Sequence, residues 1–400
     1  MKNLLKFVSI LACAAALIVG WMCLHISCSK KENQISNYEL LHCLNCPKGT
    51  ISEQPNYDSL QILKLETNKD CLITEFRQLE MNDSMIFLLD LNESLYAFNK
   101  NGKFISRIGE KGNGPGEYNR INTFFIDNKN GNIIIVDEVK SALITYDFTG
   151  KFISTVHLPM ENIRNSSRAL LLDNGYLMLN NMINPEDNMA YSIVDLHSGR
   201  LKGKYFPYDP IRLNNSFYTF SNHPMVKFED EIHFIMPLSD TIYNYSKSSF
   251  STKYIVEGLQ KVASKEQIKQ PLSSYSSEIF RLGQDGYFTG FTALFETQNK
   301  ILLEYKEQGI ILGFFLFDKQ TKEGNQYLYT VAEFIKEVPF FRIVYSLPDD
   351  QFVGIANPVE LLRIKNSLDV NNLYVKQLKE VIENTNEDDN PILFIYKFDK

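Results

Sequence analysis

The sequence predicts an all-β fold, a six-bladed β-propeller with helical insertions near residues 262–280 and 358–386. Three observations predict this fold. Short apolar runs bounded by turn residues occupy the chain from about residue 58, a unit of several such runs recurs after 47 or 48 residues, and the last run reaches the carboxyl end. A period in the high forties with several strands in each unit is typical of a propeller blade.

The first 27 residues have the pattern of a signal peptide. Lys2 and Lys6 precede an apolar run over 7–26, and the chain becomes polar directly after it. The residues LHISC (24–28) resemble the lipobox of bacterial lipoproteins, which implies cleavage before Cys28 and lipidation of its thiol. Because the apolar run is also near the length that spans a bilayer, an uncleaved signal anchor is the alternative.

Residues 28–57 are predicted to form a polar tether outside the propeller. The tether contains Cys43 and Cys46 in a CxxC pattern, and Cys71 leaves an odd number of thiols beyond Cys28. A redox CxxC opens a helix, whose terminus lowers the thiol pKa, but this one runs into a Pro-Lys-Gly turn. No second pair supplies zinc ligands, so the pattern favours a local disulfide or free thiols.

Two blades are clear in the sequence, over 88–106 and 135–154. Each reads as strand, turn, strand, glycine turn and strand, with Gly102 and Gly150 at the same point of the two copies. Glycine at such a turn adopts the positive φ that tight hairpins require. The run IIIV (133–136) is apolar without alternation, which indicates a strand covered on both faces.

Four weaker copies complete a propeller over residues 58–400, and they lie at 170–206, 226–256, 291–324 and 341–400. The strand SLQILKLE (59–66) is the natural partner of the terminal strand ILFIYKF (392–398). Pairing the two closes the ring, and closure limits the exposed sheet edges that would otherwise invite aggregation.

Residues 107–154 resemble a repeat of the NHL type, with a glycine-rich loop, a buried strand ending in Asp, and a Gly-Lys-Phe turn. Three further motifs, Gly114–Tyr118, Asp240–Tyr243 and Asn390–Ile392, make the chain similar to six-bladed propeller lipoproteins of the Bacteroidetes. This resemblance implies an outer-membrane lipoprotein that faces the periplasm, with the cell surface as the alternative. It implies little about activity, because it rests on motifs of the scaffold.

Composition excludes several functions. The net charge of -7 gives no electrostatic footprint for nucleic acid. Trp21 is the only tryptophan, so repeats that depend on Trp are absent from the propeller. The histidines show no HxH or HExxH spacing and no GxSxG elbow occurs, so the sequence predicts no catalytic residue and no cofactor.

The glycine-rich loop GEKGNGPGEY (109–118) contains one set of candidate ligand residues, Glu117 and Tyr118, with Arg120 just beyond it. It lacks the Lys-Ser/Thr of a phosphate-binding P-loop and precedes a strand, so it is not predicted to bind phosphate. The structural alternative is that its glycines shape the crossing between blades, and that Glu117 or Tyr118 is tied to neighbouring backbone.

Asp90 and Asp137 occupy equivalent positions in the two clear blades. Carboxylates repeated at one level are candidates for facing the axial channel and binding a cation. The alternative is that each accepts backbone N–H bonds within its own turn.

The function predicted from these features is a non-catalytic, envelope-anchored propeller lipoprotein that binds a protein partner or small ligand on one rim. The alternative is a periplasmic enzyme, a hydrolase or lyase acting on a glycan or ester, either with or without a metal. A sensor or scaffold of an envelope complex is a third interpretation. The expected partners are the membrane, through the lipid anchor, and an envelope protein or glycan; the chain is expected to be a monomer that binds no nucleic acid.

Overall fold

The computed structural model describes residues 38–45, 55–159, 163, 166–172, 174–181, 188–207, 223–258, 261–264, 281–307, 311–329, 338–368 and 373–398. The predicted signal peptide, Cys28 and Cys46 lie outside these ranges. Residues 39–400 form one compact unit, a six-bladed β-propeller, so the predicted all-β fold is confirmed. Within the described residues, no helix is both long enough and apolar enough to cross a membrane.

The first five blades follow the chain in order, and each is a four-stranded antiparallel sheet. Blade 1 consists of β3 (Phe76–Met81), β4 (Met85–Asp90), β5 (Leu95–Asn99) and β6 (Phe104–Arg107), and blade 2 of β7 (Thr123–Asp127), β8 (Asn132–Asp137), β9 (Ala142–Asp147) and β10 (Phe152–His157). Blade 3 consists of β11 (Ser166–Leu171), β12 (Tyr176–Asn181), β13 (Met189–Asp195) and β14 (Leu201–Pro207), and blade 4 of β15 (Met225–Phe228), β16 (Glu231–Ile235), β17 (Thr241–Ser246) and β18 (Ser249–Glu257). Blade 5 consists of β19 (Phe291–Glu296), β20 (Lys300–Glu307), β21 (Ile311–Asp318) and β22 (Glu323–Leu328).

The sixth blade joins the two ends of the propeller. Its three carboxyl-terminal strands are β23 (Ile343–Leu347), β24 (Gln351–Ala356) and β25 (Ile392–Lys397), and its fourth strand is β2 (Ser59–Lys64). Strand β2 pairs antiparallel with β25 along its whole length. The predicted closure of the ring is therefore confirmed.

Part of the predicted tether belongs to the propeller instead. Residues 39–45 form β1 (Glu39–Asn45), which pairs in parallel first with β18 and then with β22. These are the outer strands of blades 4 and 5, so β1 joins the two blades into one nine-stranded sheet. The prediction that 28–57 lies outside the propeller is thus wrong for residues 39–45. The physical reason is that outer strands have unpaired backbone edges, which an additional strand can satisfy.

Strand β1 also contributes to the core. Leu41 is fully buried in a cluster with Tyr254 and Val256 of β18 and with Phe315 and Phe317 of β21. The strand therefore adds apolar contacts to both blades as well as backbone hydrogen bonds.

The second predicted helical insertion is present between β24 and β25. It consists of α1 (Pro358–Ile364) and α2 (Leu373–Glu383), and both helices bury apolar side chains against the propeller core. The carboxylate of Glu360 accepts a hydrogen bond from the backbone N–H of Asn357 at 2.9 Å, which fixes the start of α1. Of the first insertion, 262–280, only residues 262–264 are described, and they form no helix.

The two rims of the propeller differ. At one of them, named here the crossover rim, the chain passes from each blade to the next, and the first strand of each blade begins. At the other, named the funnel rim, short hairpins such as 82–84 and 128–131 join the first and second strands. The antiparallel registers place Asp90 and Asp137, at the ends of β4 and β8, at the crossover rim.

We expect Leu41→Ala to lower the free energy of unfolding by about 2–5 kcal/mol, the usual cost of truncating a buried leucine. Leu91→Ala is the matched control, because Leu91 is 52% exposed. The free energy of unfolding of Leu91→Ala should lie within about 0.5 kcal/mol of that of the parent protein. Urea denaturation of the two variants measures both values, and equal stability of the variants would show that β1 is not part of the core.

Candidate functional site

The first strands of the six blades surround a central channel. Each of them contacts the first strand of the next blade around the whole ring, and each lies at the inner end of its sheet. At the funnel rim the channel widens into a cavity of about 1370 Å³, named here the funnel. Every first strand supplies at least one residue to its wall, including Glu80, Phe125, Arg168, Met225, Glu296 and Tyr345.

Arg168 is the centre of one buried polar cluster in the funnel wall. Its side chain is 5% exposed, and its Nη2 lies 2.8 Å from Glu80 Oε1 and 2.9 Å from His223 Nε2. His223 Nδ1 is 2.8 Å from the carbonyl oxygen of Leu294, so Nδ1 carries the proton and Nε2 accepts from Arg168. Four blades therefore contribute to one hydrogen-bonded chain.

Burial controls the protonation of this cluster. It lowers the pKa of His223 well below its usual range, and the adjacent Arg168 charge lowers it further, so the imidazole is neutral. Burial also raises the pKa of Glu80, although the attraction of Arg168 acts in the opposite direction. Gln78 Nε2 donates to Glu80 Oε1 at 3.2 Å and holds the carboxyl group in place.

The guanidinium of Arg168 is only partly used by the protein. Among the described residues, its buried Nε–H has no hydrogen-bond partner. Buried donors are normally satisfied, and leaving one unpaired costs about 1–3 kcal/mol. Arg168 lines the funnel, but its Nε atom is itself buried, so this donor is not open to the cavity.

Glu296 is the centre of a second cluster, in blades 4 and 5. Burial raises its pKa, but the hydrogen bond from His233 and the ion pair with Lys319 at 2.6 Å more than offset this effect, so the net pKa is lowered. The ammonium of Lys319 also lies 3.8 Å from the ring centre of Phe228. Glu296 is thus a charged carboxylate whose two oxygens are both engaged.

No convergent metal-ligand set occurs in the described part of the chain, where no three His, Cys, Asp or Glu side chains have suitable spacing.

The predicted loop residues lie at the crossover rim, opposite the funnel. Glu117 Oε2 accepts from the backbone N–H of Gly114 at 2.6 Å, and Tyr118 Oη donates to the Glu93 carbonyl at 2.8 Å. Arg120 forms ion pairs with Glu93 and Glu138. These contacts are the ones that the structural alternative predicts, and a ligand role for these three residues remains a prediction.

Asp90 and Asp137 are also placed away from the funnel. Both are buried and end second strands, so neither belongs to the funnel wall. Within its own turn, Asp90 accepts from the backbone N–H of Ser94 at 2.8 Å, and Asp137 accepts from that of Lys140 at 3.0 Å. Asp137 also accepts from the backbone N–H of Asn119, in the preceding loop, at 2.6 Å. Each carboxylate therefore accepts backbone N–H bonds as the backbone-acceptor alternative predicts, and a cation-binding role for the two in the channel remains a prediction.

Sequence reasoning missed Arg168, His223, Glu80 and Glu296. The signal that could have found them is a charged residue within the first strand of a blade, as in SSRALL (166–171) and FRQLEM (76–81). A charge at such a position must face either the channel or a buried partner.

We expect Gly116→Val to lower the melting temperature strongly. Gly116 has φ +74°, and a Cβ at this position would lie 2.6 Å from the ring of Phe152. Gly131→Val is the matched control, because Gly131 has φ +69° but no atom within 4 Å of its Cβ position. Gly131→Val isolates the cost of a valine at positive φ, so it should lower the melting temperature less than Gly116→Val does.

Glu117→Gln should lower the melting temperature less than either valine variant, since the amide oxygen can still accept a hydrogen bond from the backbone N–H of Gly114. Melting curves of the three variants measure this order. If Gly116→Val melts at the same temperature as the parent protein, Gly116 has no structural role, and the loop residues become the leading ligand candidates.

Comparison with known proteins supports the fold. The model of a family described as a domain of unknown function (DUF4934) matches residues 38–397. A protein of Bacteroides fragilis that its name describes as exported has a structure similar to this chain, with a TM-score of 0.71 at 22% identity, covering 90% of this chain and 100% of that one. A member of the DUF4221 family from Bacteroides vulgatus is similar with a TM-score of 0.51 at 11% identity, covering 86% and 96%. At these identities the likeness shows the fold alone, and none of the curated proteins matches.

Proposed function

The chain belongs to the DUF4934 family, and we propose that it is a non-catalytic propeller of the cell envelope that binds a glycan in the funnel. The observation that carries this proposal is the funnel itself, a cavity of about 1370 Å³ with walls from all six blades. Concave sites with a few fixed polar groups are the usual place for ligands in proteins.

The size and lining of the funnel favour an extended polar ligand. Pockets for drug-sized molecules have volumes of about 300–1,000 Å³, so this cavity has room for several sugar units. Its mouth carries amide side chains such as Asn82, Asn128 and Asn130, which both donate and accept hydrogen bonds. Phe148 and Phe228 add aromatic surface to the same wall. Hydroxyl groups and apolar ring faces of a glycan match this mixture.

The engagement of the buried polar groups favours binding over acid–base catalysis. A general acid or base needs a position from which it can reach the reacting proton. His223 uses both ring nitrogens within the protein, and Glu296 uses both carboxylate oxygens. These groups therefore fix the wall of the site.

The location in the envelope is proposed from the sequence. The signal peptide pattern over 1–27 and the lipobox-like residues before Cys28 support a lipidated outer-membrane protein that faces the periplasm. The exported protein of Bacteroides fragilis, similar in fold, agrees with this proposal by its name.

Lipidation is tested by metabolic labelling with a palmitate analogue. Cys28→Ala should abolish labelling, because the thiol that receives the lipid is lost. Cys23→Ala is the matched control and should retain full labelling. A labelled Cys28→Ala variant would contradict the lipoprotein proposal.

Binding is tested on an array of immobilised oligosaccharides. Ser346 is half-buried in β23 and lines the funnel, so Ser346→Trp should obstruct part of the cavity and weaken binding at least tenfold. Leu91→Trp adds the same bulk at the crossover rim and should leave binding unchanged. Arg120→Ala tests the predicted loop site.

Loss of binding in Arg120→Ala with full binding by Ser346→Trp would move the site to the crossover rim. Failure of the unmodified protein to retain any glycan would contradict the proposed function. A melting curve of Ser346→Trp checks that the variant is folded.

A further inference from the structure

We propose that the funnel holds one part of a linear, uncharged glycan and that the rest of the chain leaves the ring between blades 2 and 3. This inference rests on the proposed glycan-binding function and specifies the class of ligand, an unbranched neutral polymer of several sugar units. It assigns a binding role to side chains that lie away from the central channel.

The first observation is the shape of the funnel, which differs between blades. Among the described residues, blades 1, 4, 5 and 6 contribute only residues in or next to their first strands. Between blades 2 and 3 the cavity continues outward as far as β10, the outer strand of blade 2. This extension, named here the arm, is lined by Thr145, Ile153, Ser154 and Val156 of blade 2 and by Leu196 and His197 of blade 3.

The arm gives a ligand a path from the channel to the outside of the ring. Strands of one sheet lie about 4.8 Å apart, so the three steps from β7 to β10 cover roughly 14 Å. The outer end of this path is open, because residues 152–155 of β10 are exposed. A short ligand would occupy only part of the cavity, whereas a linear chain can fill the funnel and continue along the arm.

The second observation is that the side chains of the arm are open to a ligand. Ile153 is 49% exposed, Ser154 and His197 are also exposed, and the other three are half-buried. In the described part of the chain, the hydroxyl groups of Thr145 and Ser154 and the ring nitrogens of His197 form no hydrogen bond. They can therefore bond to sugar hydroxyl groups.

Aliphatic surface lies beside these polar groups. Ile153, Val156 and Leu196 each present part of their side chain to the arm. A sugar chain carries hydroxyl groups and apolar C–H faces together, and a concave wall with few polar groups among apolar ones matches both.

The third observation concerns charge, and it favours an uncharged chain. No Asp, Glu, Lys or Arg lines the arm in the described part of the chain, so an ionised ligand group would lose water there without gaining a counter-charge. The described lining of the whole funnel carries six carboxylate side chains against three cationic ones. An acidic polymer would therefore meet net negative charge at the centre as well.

The test is isothermal titration of the full-length protein with trimers and hexamers of four neutral linear glycans, the cello-, malto-, manno- and xylo-oligosaccharides. A trimer can occupy the funnel or the arm, whereas a hexamer can occupy both at once. We therefore expect the hexamer of at least one series to bind at least tenfold more tightly than its trimer.

Two variants obstruct the arm from opposite walls. Ser154→Trp adds bulk from β10, and His197→Trp adds it from blade 3. Each should bring the ratio of hexamer affinity to trimer affinity close to one. Ile105→Trp is the matched control and should leave this ratio unchanged, because Ile105 lies in the outer strand of blade 1, is 45% exposed and does not line the funnel.

Melting curves show which variants are folded, and either arm variant alone is sufficient for the comparison. The preference of the unmodified protein for the hexamer needs no variant at all.

The inference would be overturned if no hexamer bound more tightly than its trimer, or if both arm variants kept the preference; a glycan retained on the array would still leave the proposed function standing. Tighter binding of hexagalacturonate or of dodecyl maltoside than of every neutral hexamer would also overturn it, in favour of an acidic polymer or a hydrocarbon chain. If no oligosaccharide binds and the array retains none, both the inference and the proposed function fail.

Discussion

The pairing of β2 with β25 is the interaction on which the rest of the structure depends. These strands come from the two ends of the propeller, and six backbone pairs join them from Ser59–Lys397 to Lys64–Ile392. Without this pairing the ring has a free edge in its sixth blade, and the first strands no longer have to surround one channel. The funnel is thus a consequence of closure, since its wall combines residues that are far apart in sequence and meet only in the closed ring.

Strand β1 adds a second long-range connection at the outside of the ring. It runs parallel to the outer strands of blades 4 and 5, and it buries Leu41 between them. Blades 4 and 5 are also those that contribute the cluster around Glu296. The contacts of β1 therefore stabilise the same pair of blades that fixes one wall of the funnel.

The sequence predicted those features that repeat or that form locally. The turns at Gly102 and Gly150, the two helices of the second insertion and the terminal strand each have a pattern that depends on neighbouring residues. Strand β1 was missed because seven residues in a polar segment carry no repeat, and their CxxC pattern pointed to cysteine chemistry. Its partners, β18 and β22, lie about 210 and 280 positions further along the chain.

The funnel could not be predicted for a related reason. Arg168, His223 and Glu80 come from three blades, and no spacing between them marks a site. The predicted loop around Glu117 has the local hydrogen bonds that its sequence implies, but it lies at the other rim. A motif within one repeat describes the scaffold of a propeller, whereas a central site is assembled from single residues of several repeats.

Native-state hydrogen exchange of the β2 amides tests closure most directly. Strand β2 is the outer strand of its sheet, so the amides that report on closure are those that donate to β25. If β2 is part of the cooperative ring, these amides should exchange with the same opening free energy as those of β25, close to the free energy of global unfolding. Their exchange at a much lower free energy, while β24 and β25 remain protected, would show that the ring opens in the native state and would contradict a closed ring.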